Sequence, residues 1–187
     1  MKTVEVDLIS TAPYSQSRKH DTPRKEKETW DDYETRTWRE KCTTDDQGNV
    51  VIPAMSFKQA LDSVAKRLGE QIPGRGKNTY TKHFAGGVIC ERDVPLGVKK
   101  NESPAITISA NADGKRGSGK RVNRTFPQWP TWKATANFAI LDDQVTEAVF
   151  ERHLTEAGRF IGIGRFRPEN GGLNGRFRPI AFRWTTL

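Results

Sequence analysis

VVIPAMSFKQALDSVAKRLG, residues 50–69, predicts a short strand that Pro53 ends and a helix that begins at Ser56 and ends at Gly69. Within the helix, apolar residues recur at intervals of three and four: Phe57, Ala60, Leu61, Val64, Ala65 and Leu68. These side chains share one face of the helix. Because an apolar face must be buried against another layer, we expect this helix to pack on a sheet.

Strand patterns lie on both sides of this helix. Val4, Val6 and Leu8 alternate with polar residues over Thr3–Ile9, as in a half-buried strand. Further strands are predicted at residues 50–53, 87–91, 105–109, 131–141 and 180–184, and a second helix at 144–158, with capping carboxylates at Asp142 and Asp143. In chain order these elements predict an α+β fold, a ferredoxin-like, RRM-type βαββαβ antiparallel sheet with two helices on one face.

The length of 187 residues suits a single domain, 1–187, that carries insertions. Residues 10–48 are polar and predict an insertion off the core, with a short helix near 29–41. Residues 110–130 predict a long basic hairpin arm with a flexible tip, because glycines there alternate with charges that repel one another. Residues 158–179 predict a loop rich in glycine and arginine.

The formal net charge of +8 is concentrated in two segments. Lys115–Arg124 holds five basic residues and no acid, and Arg159–Arg183 holds six arginines and one acid, Glu169, so the rest of the chain sums to −2. Such clustering favours a polyanionic partner, nucleic acid first and an acidic membrane second. No apolar run approaches the length of a membrane span, and the spacing of Cys42 and Cys90 fits no metal site, so we expect a cytoplasmic protein without membrane, metal or cofactor.

The glycine-rich loop predicts contacts with nucleic acid. Its six glycines allow close approach to a phosphate, its arginines suit bidentate phosphate contacts, and its aromatic rings suit base stacking. The binding residues predicted here are Arg159, Arg165, Phe166, Arg167, Arg176 and Arg178. The alternative is a β-hairpin whose arginines are merely solvated. A helix precedes the loop and a strand follows it, which excludes a dinucleotide fingerprint.

The basic arm predicts a second set of contacts. Its predicted binding residues are Lys115, Arg116, Lys120, Arg121, Arg124 and Trp129. Neutralised phosphates beside stacking aromatic rings are typical of single-strand binding. The alternative, favoured for either tryptophan taken alone, is that Trp129 and Trp132 cover the base of the arm as part of the core. The hypothesis requires that the arginines of the loop and of the arm converge on one groove.

Catalysis is not expected, and we predict no catalytic residue and no small-molecule substrate. His153, just before the glycine-rich loop, or His20 would be the general base of a metal-independent endoribonuclease. A lone helical histidine is more often structural. The acids of the polar loops form no spacing that suits a metal.

Two segments resemble the RAMP superfamily, the backbone proteins of CRISPR effector complexes. Residues 51–61 resemble the signature IPGSSLKGALR that opens the first helix of that superfamily. Residues 162–167, with Gly171, Gly172 and residues 175–177, are similar to its C-terminal glycine-rich loop, and the Lys115–Arg124 arm would correspond to its thumb. The resemblance implies an RNA-recognition-type fold, sequence-independent binding of single strands and head-to-tail assembly. The small size also resembles phage-encoded proteins, so we expect a phage or mobile-element protein.

The leading hypothesis is therefore sequence-independent binding of single-stranded DNA or RNA, as a homo-oligomer along the strand. One alternative is an interaction protein that mimics a CRISPR backbone subunit and inhibits assembly. The other is the metal-independent endoribonuclease. The sequence does not separate DNA from RNA, because phosphate and stacking contacts do not involve the 2′-hydroxyl.

Overall fold

The computed structural model describes residues 1–112, 117 and 119–186. The predicted binding residues Lys115 and Arg116 lie outside the described residues. The strands are β1 Lys2–Ser10, β2 Tyr14–Ser15, β3 Asn49–Ile52, β4 Val88–Cys90, β5 Val94–Lys99, β6 Ala105–Asn111, β7 Arg121–Trp129, β8 Lys133–Ile140 and β9 Phe177–Thr186. The helices are α1 Trp30–Thr37, α2 Ala54–Leu68, α3 Thr81–Gly87 and α4 Glu147–Glu156. Single turns of 3₁₀-helix follow at Trp38–Lys41, Lys100–Glu102 and Pro168–Asn170, and a π-helical turn follows at Ala157–Ile161.

The main sheet is antiparallel and has the strand order β4-β8-β1-β9. The first helix after β1 that packs on this sheet is α2, and α4 follows β8. Both cover the same face, because Phe138 of β8 contacts Phe57 of α2 and Phe150 of α4. Val4, Val6 and Leu8 of β1 point to that face and are at most 1% exposed. The predicted α+β class, with antiparallel strands and two helices on one face, is confirmed.

The two core helices, α2 and α4, form where the apolar spacing predicts them. The residue that ends α2 is the predicted one, but the residue that caps the start of α4 is not. Gly69 ends α2 in the left-handed conformation, with φ of 54°, as the sequence indicates. Thr146 caps α4 by accepting a hydrogen bond from the Val149 amide, so the capping role predicted for Asp142 and Asp143 is wrong. Asp142 instead accepts from the Gln144 amide in the preceding turn.

Three elements depart from the prediction. The sequence predicts no element between Gly69 and the strand at 87–91, yet α3 begins at Thr81 and buries Phe84. Strand β5 was not predicted, and it pairs with β3 in a small separate sheet. Strand β6 was expected in the core sheet, but it pairs with β7 and forms one side of the arm. The arm therefore begins at Ala105, five residues before the predicted start.

The predicted insertion, 10–48, is joined to the core and to the arm. Tyr14, Ser15 and Gln16 are buried, and β2 pairs with the base of β7. Further along, the Thr125 amide of β7 donates to Glu34 Oε1 at 2.6 Å, and the Lys41 ammonium donates to the Thr125 carbonyl at 2.7 Å. This segment thus caps the free edge of β7 and braces the arm.

Glu34 and Lys41 also bond to each other as a buried ion pair. Burial lowers the pKa of the Lys41 ammonium, and the hydrogen bond to Glu34 opposes that shift. Among the described residues, no helix has the length and apolar character that a membrane crossing requires.

Candidate nucleic-acid interface

A cleft of about 430 Å³ opens beside the start of α2. Its walls are residues 14–18, the first turns of α2 and the glycine-rich loop at 162–170. The side chains that face it are mostly polar or basic, namely Gln16, Arg18, Ser56, Gln59, Arg165 and Arg167. The amino end of α2 borders this wall, and the Ala54 amide there donates to Asp93 Oδ1 at 2.8 Å.

Close packing between backbones shapes the glycine-rich loop. The Arg165 amide donates to the Ser15 carbonyl at 2.8 Å, and the Ile163 amide donates to the Gly175 carbonyl at 3.0 Å. A Cβ on Gly175 would lie 1.8 Å from the Ile163 carbonyl oxygen, and one on Gly164 would lie 2.5 Å from that of Ser15. The chain therefore needs glycine at these positions to pack against itself, a reason that the sequence analysis did not give.

Arg165 is the basic residue that this loop holds most firmly. Its guanidinium lies 3.5 Å from the ring centroid of Phe126 and 3.8 Å from that of Phe166. Burial lowers the pKa of Arg165 to about 10, so the group stays charged at neutral pH. No acidic side chain pairs with it among the described residues. A stacked guanidinium keeps its N–H groups available at the edge of its plane, where they suit a phosphate.

The arm and the glycine-rich loop meet at Phe126, although Arg121 and Arg124 of the arm line other pockets than Arg165 does. Phe126 belongs to β7 and contacts Arg165 of the loop, and the Lys41 ammonium lies 4.3 Å from the centroid of the same ring. Besides burial, the charges of Arg124 and Arg165 both contribute to the lowered pKa of Lys41. Arg124 of the arm and Arg165 of the loop therefore both lie near enough to Lys41 to act on its charge.

Other predicted residues of the loop are placed differently. Arg167 lines the cleft but pairs with Glu169 at 2.9 Å. The Arg159 side chain is 70% exposed on the π-helical turn, and Arg176 donates to the Arg159 carbonyl at 3.3 Å. Arg178 is exposed on β9. Because Arg159, Arg176 and Arg178 do not line the cleft, the arginines of the loop do not form one continuous basic surface there.

The arm residues Lys120, Arg121 and Arg124 lie further from the cleft, along β7 and at its start. Arg121 donates to Ser109 of β6 at 2.9 Å, which holds it across the hairpin. Arg124 donates to the Ala112 carbonyl at 2.9 Å. These residues line a second pocket between the arm and α1, or lie at its rim.

Trp129 belongs to the core, and its predicted stacking role is wrong for this conformation. It is 4% exposed and stacks on Tyr14 at 5.7 Å between ring centroids. Trp132 is 6% exposed and packs on the other side of the same tyrosine. The alternative reading of both tryptophans, as cover for the base of the arm, is the correct one.

Sequence reasoning missed Lys41, Phe126 and Arg18 as site residues. Phe126 lies two positions after Arg124 on one strand, so both side chains share a face of the arm. That alternation was a usable signal. Lys41 and Arg18 gave none, because only the folding of 10–48 onto the arm brings them here.

The histidines do not reach the cleft. His153 is fully buried, stacks on Phe84 at 4.3 Å and bonds the Val149 carbonyl through Nδ1. His20 stacks on Tyr33, at 6.3 Å between centroids. The candidate general bases are therefore a core residue and a loop residue, neither of which lines the cleft. Residues 1–112, 117 and 119–186 contain no group of three or more acidic, histidine or cysteine side chains that could hold a metal.

The outer face of the main sheet is polar and paired. Glu5 and Asp7 of β1 point away from the helices and bind Arg183 of β9, with the Asp7 contact at 2.6 Å. RRM domains stack bases on aromatic residues at this face. The ion pairs of Arg183 occupy it here, so the cleft is the better candidate for an interface.

Comparison with known proteins bears on the fold. No protein-family model matches the chain, and no curated protein is similar to it in sequence. The resemblance noted in the sequence is confirmed at the level of the fold, because a chain of a solved complex shares it. A chain in the cryo-EM structure of the Type III-B Cmr-beta complex bound to cognate target RNA has a TM-score of 0.58 and 14% identity.

That alignment covers 98% of this chain and 60% of the other, so the protein spans about three fifths of its neighbour's length. Cmr6 from Pyrococcus furiosus is also similar, with a TM-score of 0.47, 13% identity and coverage of 96% and 98% of the two chains.

Proposed function

We propose that this protein binds single-stranded nucleic acid without catalysis, with RNA as the favoured ligand. The observation that carries the proposal is the Arg165 guanidinium, held between Phe126 and Phe166 where the arm meets the glycine-rich loop. The similar chain belongs to a complex that was solved with its cognate target RNA bound, which supports RNA rather than DNA.

An arginine at a cleft without an acidic partner can bind a phosphate group. A guanidinium already stacked on two rings loses little side-chain freedom on binding, so more of each phosphate contact is retained as affinity. Arg18 is exposed and lines the same cleft, and Ser56 and Gln59 line it from α2. Such groups contact sugar and phosphate rather than base edges, which supports binding that does not depend on sequence.

The topology of the main sheet and the assembly of the protein on a strand are proposed as follows. We infer a ferredoxin-like plan, supported by the order β4-β8-β1-β9 and by helices α2 and α4 on one face. Head-to-tail assembly along the strand is proposed from the family resemblance, and sedimentation of the protein with oligonucleotides of increasing length would reveal it as stepwise growth.

The test is a fluorescence-anisotropy titration with labelled single-stranded RNA at several salt concentrations. Arg165→Ala should weaken binding about 10- to 100-fold, since a hydrogen bond to a charged group is worth roughly 1.5–3 kcal/mol. The slope of log affinity against log salt should fall by about 0.7. Arg178→Ala is the matched control: it removes an equal charge from an exposed position outside the cleft. Equal losses in the two variants would refute the placement of the site.

A further inference from the structure

A second aromatic site lies between α1 and the arm. Trp30 is 68% exposed, unlike Trp38, Trp129 and Trp132, which are at most 7% exposed. It lines a pocket of about 210 Å³. The other strongly exposed aromatic ring, Phe166, contacts Arg165 at the cleft, so an exposed tryptophan in a separate pocket requires its own explanation.

The Trp30 ring is held in place by its neighbours. It meets Tyr33 edge-on, with 5.9 Å between centroids and an interplanar angle of 85°. The Arg24 guanidinium lies 4.7 Å from its centroid. Because Glu34 of the same helix bonds the Thr125 amide of β7, the helix that carries Trp30 is fixed against the arm. The ring is therefore presented in a preorganised position.

The surroundings of the pocket are basic. Lys120 and Arg124 line it together with Trp30, and Arg121 lies beside it, while Asp31 and Glu34 are the acids of its wall. Glu34 is neutralised by Lys41. A ring that is open to solvent, with cations around it, complements a base joined to phosphates.

One face of β7 leads from the pocket towards the cleft. Val122, Arg124 and Phe126 occupy alternate positions of β7, so their side chains point to the same side. Val122 and Arg124 line the pocket, and Phe126 contacts Arg165 at the cleft. The distance along the strand from Val122 to Phe126 is about 13 Å, at roughly 3.3 Å per residue. A single strand a few nucleotides long spans this separation.

We propose that the pocket between α1 and the arm receives a nucleobase, which stacks on Trp30 while the adjacent backbone runs along β7 to Arg165. This inference rests on the proposed function, and it adds a contact with a base to a site that is proposed to bind phosphate. Asp31 and Asn123 also line the pocket and are polar. The ligand class is thus a single strand with at least one unpaired base.

The experiment uses the full chain and two RNA oligonucleotides of equal length, one with normal bases and one abasic throughout. Trp30 is the tryptophan most exposed to solvent, so stacking should quench the intrinsic fluorescence with the normal oligonucleotide and not with the abasic one. Trp30→Leu should remove the quenching and weaken binding of the normal oligonucleotide about 5- to 100-fold. Trp30→Phe, which keeps an aromatic ring, should retain most of the affinity.

The outcomes separate the two claims. Tight, salt-dependent binding without quenching, and unchanged in Trp30→Leu, would overturn the base pocket and leave the proposed function standing. Failure of both oligonucleotides to bind the wild-type protein would overturn both. A weaker Trp30→Leu that loses equal affinity for the abasic oligonucleotide would also refute stacking, because that ligand has no base to stack.

Discussion

A matched pair of glycine substitutions tests whether close packing fixes the glycine-rich loop. Gly171 and Gly175 have nearly identical backbone angles, with φ of 76° and 77°. A Cβ on Gly171 has nothing within 4 Å, whereas one on Gly175 lies 1.8 Å from the Ile163 carbonyl oxygen. Alanine at either position incurs the same cost of a left-handed conformation, about 1–2 kcal/mol. Only Gly175→Ala also forces two backbone segments apart.

The additional cost of Gly175→Ala follows from what must move. The oxygen has to retreat by more than 1 Å, and that movement breaks the 3.0 Å bond from the Ile163 amide to the Gly175 carbonyl. A buried amide left without a partner costs about 1–3 kcal/mol. We therefore expect Gly171→Ala to lose about 1–2 kcal/mol and Gly175→Ala about 2–5 kcal/mol.

Urea unfolding followed by circular dichroism measures both free energies. Because the displaced segment carries Arg165, Gly175→Ala should also weaken RNA binding under conditions where it is still folded. A difference below about 0.5 kcal/mol between the variants, within the range of ordinary surface changes, would refute the packing argument.

Three further perturbations have defined outcomes. Burial lowers the pKa of His153 below its ordinary value of 6.5, so as pH falls the imidazole is protonated in the unfolded chain before it is protonated in the folded one. The stability of the protein should therefore fall as pH drops below about 6.5. The melting temperature of His153→Leu should fall less over the same pH range. Glu34→Gln leaves the Lys41 charge without a counter-ion and should cost about 3 kcal/mol in urea unfolding, while an unchanged midpoint would contradict the bracing role. Phe126→Leu removes one ring from Arg165 and should weaken RNA binding about two- to fivefold, with Phe160→Leu, whose ring contacts Arg159 outside the cleft, as the control.

The parts of the fold that sequence predicted are those with strong local periodicity. The apolar spacing of α2 and the alternation of β1 each reflect burial on one face, and both elements formed as expected. Helix α3 is seven residues long, too short for a periodic signal, and β5 contains Pro95 and Gly97, which weaken any strand pattern. The alternation of apolar and polar residues in β6 predicted a strand correctly, but such a pattern does not show which strand it pairs with.

The site was predicted in composition and only partly in arrangement. Arg165 and Phe166 were singled out from the glycine-rich pattern, and both line the cleft. Trp129 was misassigned because an aromatic residue beside a basic segment gives no sign of its own burial. Lys41 could not be found, since its position depends on contacts between residues more than 80 apart in sequence.

The central claim is that a single strand lies where the start of α2, the glycine-rich loop and the base of the arm meet. Ultraviolet crosslinking of a labelled single-stranded RNA, followed by mass spectrometry of the digested complex, tests it most directly. The account predicts crosslinks at Phe166 and Phe126, the rings that hold Arg165. Crosslinks confined to the outer face of the main sheet, around Arg178 and Arg183, would contradict it.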